Sequence, residues 1–325
     1  MGSEPILTIR DLKTYFRTYE GVVRAVDGVD LAVHEGETLG IVGESGCGKS
    51  VMALSILRLI PSPPGIIVGG EMLFSGVDLL KLRESEMRKI RGGEISMIFQ
   101  EPMTSLNPVY DIGDQISETI RLHQQISRSE AYDRTIEMLR LVKIPSPERR
   151  IKEYPHKMSG GMRQRVMIAM ALACHPKVMI ADEPTTALDV TIQAQILDLI
   201  QQLREEVGTS IILITHDLGV IAENAERVAV MYTGKIVEHA SVADLFLNPS
   251  HPYTRGLLES TPRMDMDVSS TKLASIPGIV PSLTDLPSGC SFHDRCSRAR
   301  GECSQSQPSF VEVDRGHYVR CWLFS

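Results

Sequence analysis

The sequence predicts an α/β protein with a mostly parallel core sheet covered by helices. Short apolar runs rich in β-branched residues alternate with longer segments of helical spacing from Ile6 to about His239. Runs that are apolar throughout are typical of strands buried on both faces, as in parallel sheets. The chain of 325 residues can hold one large domain of this class with an appendage, or two domains.

Composition and charge narrow the possible functions. A content of 42% hydrophobic and 23% charged residues is that of a folded soluble protein. The net charge of −7 argues against a protein that coats nucleic acid, because phosphate binding needs a positive surface, so no nucleic-acid partner is expected. No apolar run approaches the roughly 20 residues of a spanning helix. Residues 1–10 carry no secretory signal, so we expect the cysteines to stay reduced in the cytosol.

The strand signals in chain order are LGIVG, ISMIF, VMIADE, SIILITH and VAVMY. They disappear between Gln100 and about Lys157, where polar amphipathic segments predict a helical subdomain inserted at about 101–160. A later helix is predicted by apolar residues three or four apart, followed by Gly208 as its C-terminal cap. These apolar residues are Ile192, Ile196, Leu199, Leu203 and Val207. Prolines then punctuate the chain, which predicts a first domain over 1–240 and a loop-rich one over 241–325.

The segment GESGCGKS, Gly43–Ser50, fits the phosphate-loop pattern G-x-x-x-x-G-K-[ST] between a strand signal and a helical segment. In this context the backbone N–H groups face a phosphate, Lys49 reaches the terminal phosphates and Ser50 ligates Mg²⁺. Cys47 is interpreted as a small filler and not as a nucleophile. The predicted ATP-binding residues of this segment are Gly43, Glu44, Ser45, Gly46, Cys47, Gly48, Lys49, Ser50 and Val51.

Polar residues at the ends of three further strand signals complete the predicted site. Asp182 can bind Mg²⁺, and the neighbouring Glu183 can polarise a water for attack on the γ-phosphate. Gln100 carries an amide suited to both Mg²⁺ and water, and His216 would face the γ-phosphate. The carboxyl ends of parallel strands converge at one edge, so these residues are predicted to form one ATP site with the phosphate loop.

The segment KMSGGMRQR, Lys157–Arg165, resembles the L-S-G-G-Q signature of ABC-transporter ATPases, with Met158 and Met162 in place of leucine and glutamine. Gln100, TALD (Thr186–Asp189) and His216 resemble that family's Q-loop, D-loop and switch histidine in order. The resemblance covers residues 4 to about 240. It implies the P-loop ABC ATPase fold, including an antiparallel β subdomain. It also implies Phe16 as the aromatic that stacks on adenine, with Tyr15 and Tyr19 as alternatives.

The signature also predicts a partner. Its residues open a helix, where N–H groups and a serine hydroxyl form a second phosphate receptor. In the family two ATPase subunits pair head to tail, and each signature closes on the partner's ATP. The resemblance therefore assigns this contact to Ser159, Gly160, Gly161 and Met162, and it makes Asp189 the D-loop aspartate.

A narrower resemblance extends through the tail. FQEPMTSLNPV (Phe99–Val109), YPHKMSGGMRQRVMIAMAL and NPSHPYTRGLL (Asn248–Leu258) are similar to the ATP-binding subunits of bacterial dipeptide, oligopeptide and nickel importers. This implies a second ATPase subunit, often non-identical, two permease subunits and an external solute-binding protein, at the cytoplasmic face of the inner membrane. Peptides are the expected solute. Nickel complexes, glutathione and a soluble non-transport ABC ATPase are the alternatives.

Four of the six cysteines lie near the end of the chain with the spacing C-x5-C-x6-C-x17-C: Cys290, Cys296, Cys303 and Cys321. The C-x2-C knuckle common in zinc sites is absent from this set, and four thiolates are the usual ligands of an iron–sulfur cluster. The importer family carries a matching set that holds a [4Fe–4S] cluster in some members. Zinc and unligated thiols remain open. His293 and His317 are nearby substitute ligands, each expected in a solvated loop.

Overall fold

The chain divides into two units, each built from segments that are far apart in sequence. The computed structural model describes residues 4–100, 105–186, 188–261 and 275–325. The first unit consists of Val33–Thr38 and Asp78–Ile214, with the start of the chain up to Ile6. The second consists of Leu7–Ala32, Leu39–Val77 and Thr215–Ser325. The domain boundary near residue 240 stays a prediction.

The strands are β1 (Pro5–Thr18), β2 (Gly21–His34), β3 (Thr38–Val42), β4 (Gly65–Phe74), β5 (Val77–Asp78), β6 (Ile95–Ile98), β7 (Val178–Asp182), β8 (Ser210–Ile214), β9 (Arg227–Tyr232), β10 (Lys235–Ser241), β11 (Val311–Asp314) and β12 (His317–Val319). The α-helices are α1 (Lys49–Ile56), α2 (Glu84–Ile90), α3 (Ile112–Gln124), α4 (Arg128–Leu141), α5 (Pro147–Arg150), α6 (Gly160–Leu172), α7 (Val190–Val207), α8 (Leu218–Asn224), α9 (Val242–Leu247) and α10 (Pro252–Ser260). Short 3-10 turns lie at Leu79–Lys81, Pro155–Lys157, His293–Arg295 and Gly301–Ser304.

The first unit is organised around three parallel strands in the order β8-β7-β6. Ile98 pairs with Ala181, and Asp182 pairs with Ile214 at the carboxyl ends. The residues of β7 and β8 are all buried, which explains why these strands are apolar apart from Asp182 and Ser210. The register places the chain that follows β6 and β7 on the same edge of the sheet.

Four helices of the first unit begin at side-chain caps. Asp111, Ser127, Ser159 and Asp189 each accept a hydrogen bond from a backbone N–H in the first turn of α3, α4, α6 and α7. On α7, Ile196, Leu199 and Leu203 of the predicted face are buried, Ile192 and Val207 are half-buried, and Gly208 ends the helix with a φ of 75°. The helices α3, α4 and α5 fall within the predicted helical insert, of which residues 101–104 lie outside the described part.

The second unit contains two sheet segments. In one, the strand order is β11-β12-β10-β9-β3, with β3 parallel to β9 and the other neighbours antiparallel. The C-terminal strands β11 and β12 therefore extend the same sheet that carries β3. The other segment has the order β2-β1-β4-β5, and β1 pairs antiparallel with β4, from Leu7 opposite Phe74 to Phe16 opposite Gly65. The predicted antiparallel β subdomain is confirmed.

Among the residues that the structure describes, there is no helix with the length and apolar character needed to cross a lipid bilayer.

Candidate functional site

The phosphate-loop segment connects β3 to α1 in the second unit. Three of its residues have positive φ angles, Gly43 at 157°, Gly46 at 79° and Gly48 at 107°. A Cβ atom at Gly48 would lie 2.1 Å from the carbonyl oxygen of Ala25, and one at Gly43 would lie 2.2 Å from that of Met231. At Gly43 and Gly48 the loop backbone lies so close to neighbouring strands that only glycine, which has no Cβ, fits there.

Lys49 is the first residue of α1, and it is almost fully buried. Its ammonium donates to the carbonyl oxygens of Gly43, at 2.7 Å, and Glu44, at 3.2 Å. The loop thus bends around one cation beside the N-terminus of a helix, which is the arrangement that favours phosphate binding. The residues present fit a nucleotide phosphate with Mg²⁺, since Ser50, next to Lys49, carries a hydroxyl that would suit the metal.

Cys47 is fully buried inside this loop. Burial raises the pKa of its thiol above the ordinary value, although the nearby Lys49 opposes the shift. The structure agrees with the interpretation of Cys47 as a filler, because a buried neutral thiol is a poor nucleophile.

The three aromatic residues proposed for adenine lie in different surroundings within the second unit. Phe16 is half-buried on β1, and its ring occupies space beside Gly65, where a Cβ would lie 2.7 Å from Phe16 Cε1. The hydroxyl of Tyr15 donates to Asp27 Oδ1 at 2.6 Å, and burial together with Asp27 raises the pKa of Tyr15 to about 12. Tyr19 is fully exposed. The assignment of Phe16 to adenine stays a prediction.

Two predicted site residues, Gln100 and Glu183, meet in the first unit beyond the ends of β6 and β7, together with Thr186. Gln100 Nε2 donates to Glu183 Oε2 at 3.1 Å, and the hydroxyl of Thr186 donates to the same oxygen at 2.9 Å. Glu183 has a φ of 46°, and its N–H donates to the carbonyl of Ile214 at 2.9 Å. A non-glycine residue held in the left-handed region by such contacts is typical of functional sites.

Asp182 ends β7 and is 3% exposed, so its carboxylate lies at the buried edge of the sheet next to Glu183. The sequence motifs predict no separate role for Thr186 beyond its place in TALD. Its position three residues after Glu183, just past the turn, is the signal that indicates the contact. Of this motif, Ala187 lies outside the described residues.

The signature residues form the start of α6. Ser159 Oγ accepts from the N–H of Met162 at 3.3 Å, and Met158 takes a buried position in place of the signature leucine. The glycines lie close to the D-loop and α7: a Cβ at Gly161 would be 3.0 Å from Ile192 Cγ2, and one at Gly160 would be 3.6 Å from Leu188.

Asp189 caps α7 at this point by accepting from the N–H of Ile192 at 3.0 Å. The signature and the D-loop are thus packed against each other in the first unit.

His216 lies in the second unit directly after Thr215, and it is exposed. The next residue, Asp217, caps α8 by accepting from the N–H groups of Gly219 and Val220. The structure therefore groups Gln100, Glu183 and Asp182 with the signature and D-loop in one unit, and the phosphate loop with Phe16 and His216 in the other.

The four C-terminal cysteines line one small cavity in the second unit, together with His251, His293 and Trp322. Backbone N–H groups point at two of the sulfurs, from Arg298 to Cys296 Sγ and from Arg300 to Cys303 Sγ, each at 3.4 Å. Burial, with smaller contributions from the three other thiols, raises the pKa of Cys290 to about 11. Within the described ranges, no group of three or more histidine, cysteine or acidic side chains is close enough to hold a single metal ion.

The expectation of a solvated loop is wrong for His317. This residue lies on β12, is 4% exposed, and its Nε2 contacts Glu238 Oε1 at 2.7 Å. Glu238 is fully buried on β10 and also accepts from the N–H groups of Ser250 and His251. The sequence could not indicate this pairing, because the two residues are brought together only by the β10–β12 register.

Comparison with known proteins agrees with this geometry. Residues 26–186 match the family described as ABC transporter, and residues 237–303 match the family described as Oligopeptide/dipeptide transporter, C-terminal region. The Sinorhizobium fredii protein named "Probable peptide ABC transporter ATP-binding protein y4tR" is 57% identical over 317 residues, which are 98% of this chain and 94% of that protein. The oligopeptide transport ATP-binding protein OppD of Bacillus subtilis is 53% identical, over 98% of this chain and 88% of its own.

Among solved structures, the dimeric ATP-binding cassette MJ0796 in a post-hydrolysis state bound to ADP and Pi is similar, with a TM-score of 0.65 and 28% identity. The match covers 73% of this chain and 98% of that structure.

Proposed function

Because this chain belongs to the family of ABC-transporter ATP-binding proteins, we propose that it hydrolyses ATP to drive the import of peptides across a bacterial inner membrane. The observation that carries the solute class is the match of residues 237–303 to the C-terminal region of oligopeptide and dipeptide transporters, downstream of an ATPase cassette. The full-length relatives named for peptide or oligopeptide transport support it. The chain would act at the cytoplasmic face of the membrane as a peripheral subunit.

In the proposed reaction the phosphate loop holds the β- and γ-phosphates. Its glycines keep the backbone N–H groups turned toward the anion. Lys49, which contacts the carbonyl groups of Gly43 and Glu44 in this structure, would bind the terminal phosphates of ATP. Bound Mg²⁺ would neutralise charge that develops on the phosphates, with Ser50, Gln100 and Asp182 as its ligands, directly or through water.

Glu183 is the proposed general base for the attacking water. Gln100 and Thr186 both donate to Glu183 Oε2, which fixes the orientation of this carboxylate. A base contributes most when its geometry is set before the substrate arrives, because no reorganisation is then needed. His216, which follows β8, is proposed to face the γ-phosphate.

The proposed assembly pairs two ATPase subunits head to tail. Ser159 Oγ and the N–H groups of Gly160, Gly161 and Met162 at the start of α6 would receive the phosphates of the partner's ATP, and Asp189 would lie beside that contact. The solved cassette MJ0796 is described as dimeric, which supports this arrangement. The partner is proposed to be a non-identical homologue, with two permease subunits and an external solute-binding protein.

The four C-terminal cysteines are proposed to hold a [4Fe–4S] cluster. They line one cavity, two of the sulfurs accept N–H hydrogen bonds, and hydrogen bonds of this kind stabilise thiolate ligands of such clusters. A cluster holds its thiolates farther apart than one zinc ion does, since each thiolate binds a different iron. The sequence spacing C-x5-C-x6-C-x17-C, which lacks the C-x2-C knuckle common in zinc sites, favours the cluster for this reason.

Transport is tested by reconstituting the chain with its copurifying permease subunits and solute-binding protein in vesicles. We expect ATP-dependent uptake of labelled peptides, and loss of that uptake in Glu183→Gln. Uptake of nickel or glutathione in place of peptides would contradict the proposed solute. A chain that hydrolyses ATP but copurifies with no membrane subunit would contradict the proposed role in import.

The cluster is tested by anaerobic purification and analysis of iron and acid-labile sulfide. We expect about four iron atoms per chain and their loss in Cys303→Ser. Cys174→Ser is the matched control, because Cys174 lies outside the cysteine cavity and is expected to leave the iron content unchanged. One zinc atom per chain, or no bound metal at all, would contradict the proposed cluster.

A further inference from the structure

Glu44, in the phosphate loop, is contacted on three sides. Its carbonyl oxygen accepts from Lys49 Nζ at 3.2 Å, and its N–H donates to the hydroxyl of Tyr253 at 2.9 Å. Its carboxylate receives two hydrogen bonds from Arg295, from Nη1 to Oε2 at 2.8 Å and from Nη2 to Oε1 at 3.0 Å. Two of the three contacts come from the C-terminal part of the chain, 209 and 251 positions away.

The guanidinium of Arg295 is built into its place. The side chain is 5% exposed, Nε donates to the carbonyl of Pro277 at 3.0 Å, and Nη1 also donates to the hydroxyl of Tyr232 at 3.3 Å. The rings of Tyr232 and Phe292 lie 5.8 and 5.9 Å from the guanidinium carbon. An arginine with all of these contacts has one orientation, so the position of its two bonds to Glu44 is fixed.

Tyr253 is fixed as firmly. It is fully buried near the start of α10, and its ring packs on Tyr232 and Phe292 with centroid distances of 4.6 and 5.4 Å. Its N–H donates to His251 Nδ1 at 3.0 Å. The backbone N–H of His251 in turn donates to the buried Glu238 at 2.9 Å. The hydroxyl that meets the phosphate loop is therefore held by a chain of buried contacts.

We propose that Arg295 and Tyr253 are positioning residues for ATP binding, which hold Glu44 and through it the phosphate loop and Lys49. Neither residue touches the nucleotide in this proposal. Tyr253 holds the backbone N–H of Glu44, which lies in the same planar peptide group as the carbonyl of Gly43 that accepts from Lys49 at 2.7 Å. Arg295 fixes the carboxylate and also neutralises it, because a free negative charge in this loop would repel the phosphates.

Nucleotide affinity is the quantity to measure, with mant-ATP fluorescence titration of the full chain in its assembled complex. Arg295→Met should raise the Kd for mant-ATP about tenfold, because two charge-assisted hydrogen bonds are lost and the Glu44 charge is exposed to the phosphates. Arg295→Lys should restore part of the affinity, since it keeps the charge but not the bidentate geometry. The matched control is Arg315→Met, an exposed arginine in the β11–β12 turn, which should stay within about twofold of the wild type.

A double-mutant cycle separates positioning from a general loss of stability. The fold increase in Kd for the double variant Glu44→Gln/Arg295→Met should be smaller than the product of the fold increases for the two single variants. The reason is that both substitutions remove the same interaction. Multiplicative effects of the two substitutions would overturn the proposal. So would a Kd for Arg295→Met that equals the wild-type value.

Tyr253→Phe serves where Arg295→Met fails to fold, because it keeps the packed ring and removes only the hydroxyl. We expect a Kd raised about threefold with an unchanged kcat at saturating ATP, since a neutral hydrogen bond is weaker than a charged one. An unchanged Kd in both Tyr253→Phe and Arg295→Lys would overturn the proposal. ATP hydrolysis at saturating nucleotide remains measurable in each variant, so the outcome is distinct from a failure of the ATPase function.

Discussion

Gln100 and Glu183 lie 83 positions apart in the chain, and the amide of the first donates to the carboxylate of the second at 3.1 Å. The parallel pairing of β6 with β7 produces this contact, because both strands end at the same edge. The contact joins Gln100, a proposed ligand of Mg²⁺ and water, to Glu183, the proposed base. Effects on metal binding and on the rate of hydrolysis can therefore be measured separately in variants of the two residues.

Glu183→Gln should abolish hydrolysis while nucleotide binding is retained. A glutamine has the same shape but cannot accept the proton of the attacking water, and general bases contribute about 10²- to 10⁴-fold to rates. Single-turnover phosphate release and mant-ATP titration measure the two effects. Hydrolysis at the wild-type rate would show that another group is the base.

Gln100→Leu and Thr186→Val each remove one of the two donors to Glu183 Oε2. Each substitution should lower kcat by about tenfold, since one positioning hydrogen bond to a charged group is lost. Gln100→Leu should also raise the Mg²⁺ concentration needed for half-maximal hydrolysis, because its amide is a proposed metal ligand, whereas Thr186→Val should not. Steady-state ATP hydrolysis over a range of Mg²⁺ concentrations compares the two variants. Equal Mg²⁺ dependence in both would remove Gln100 from the metal site.

Gly48→Ala and Gly46→Ala form a matched pair in the phosphate loop. Both residues have positive φ, so both variants bear the cost of a left-handed alanine, about 1 kcal/mol. Only at Gly48 would the new Cβ also lie 2.1 Å from a backbone oxygen, while at Gly46 nothing lies within 4 Å. We expect Gly48→Ala to lose mant-ATP binding and to lower Tm by more than Gly46→Ala does. Equal losses in the two variants would contradict the close packing against Ala25.

Ser159→Arg tests the head-to-tail pairing. An arginine at the exposed start of α6 should block the partner's site and leave ATP binding to this chain's own phosphate loop intact. In a mixed dimer of the Ser159→Arg chain with its wild-type, non-identical partner, hydrolysis at the partner's ATP should be lost, so about half of the hydrolytic activity should remain. Full activity in dimers that carry the substitution in both subunits would contradict the signature's role.

Several features of the fold and site follow from the sequence because their cause is local. The phosphate-loop pattern is contiguous, the strand β3 before it carries the apolar run from Leu39 to Val42, and the caps at Ser159 and Asp189 lie within three residues of the N–H groups that they bind. The predicted burial of Ile196, Leu199 and Leu203 on α7 is confirmed for the same reason, since helical spacing alone sets the buried face.

Other features depend on register and long-range packing. His317 was expected in a solvated loop, yet it pairs with Glu238 because β12 adds to the edge of β10. No spacing or composition marks this contact in the chain. Thr186, by contrast, lies three positions after Glu183, so their contact is local.

The sequence by itself determined the family, the phosphate loop, the signature and the set of four cysteines, because each is a pattern of residue types at fixed separations. Only the tertiary structure decided that Glu44 is held by Arg295 and Tyr253, and that the four cysteines share one cavity. The physical reason differs for the two. Glu44 meets Tyr253 and Arg295 across 209 and 251 positions of the chain, beside the packed rings of Tyr232 and Phe292. The cysteines lie mostly in loops, which have no regular periodicity that could predict their positions.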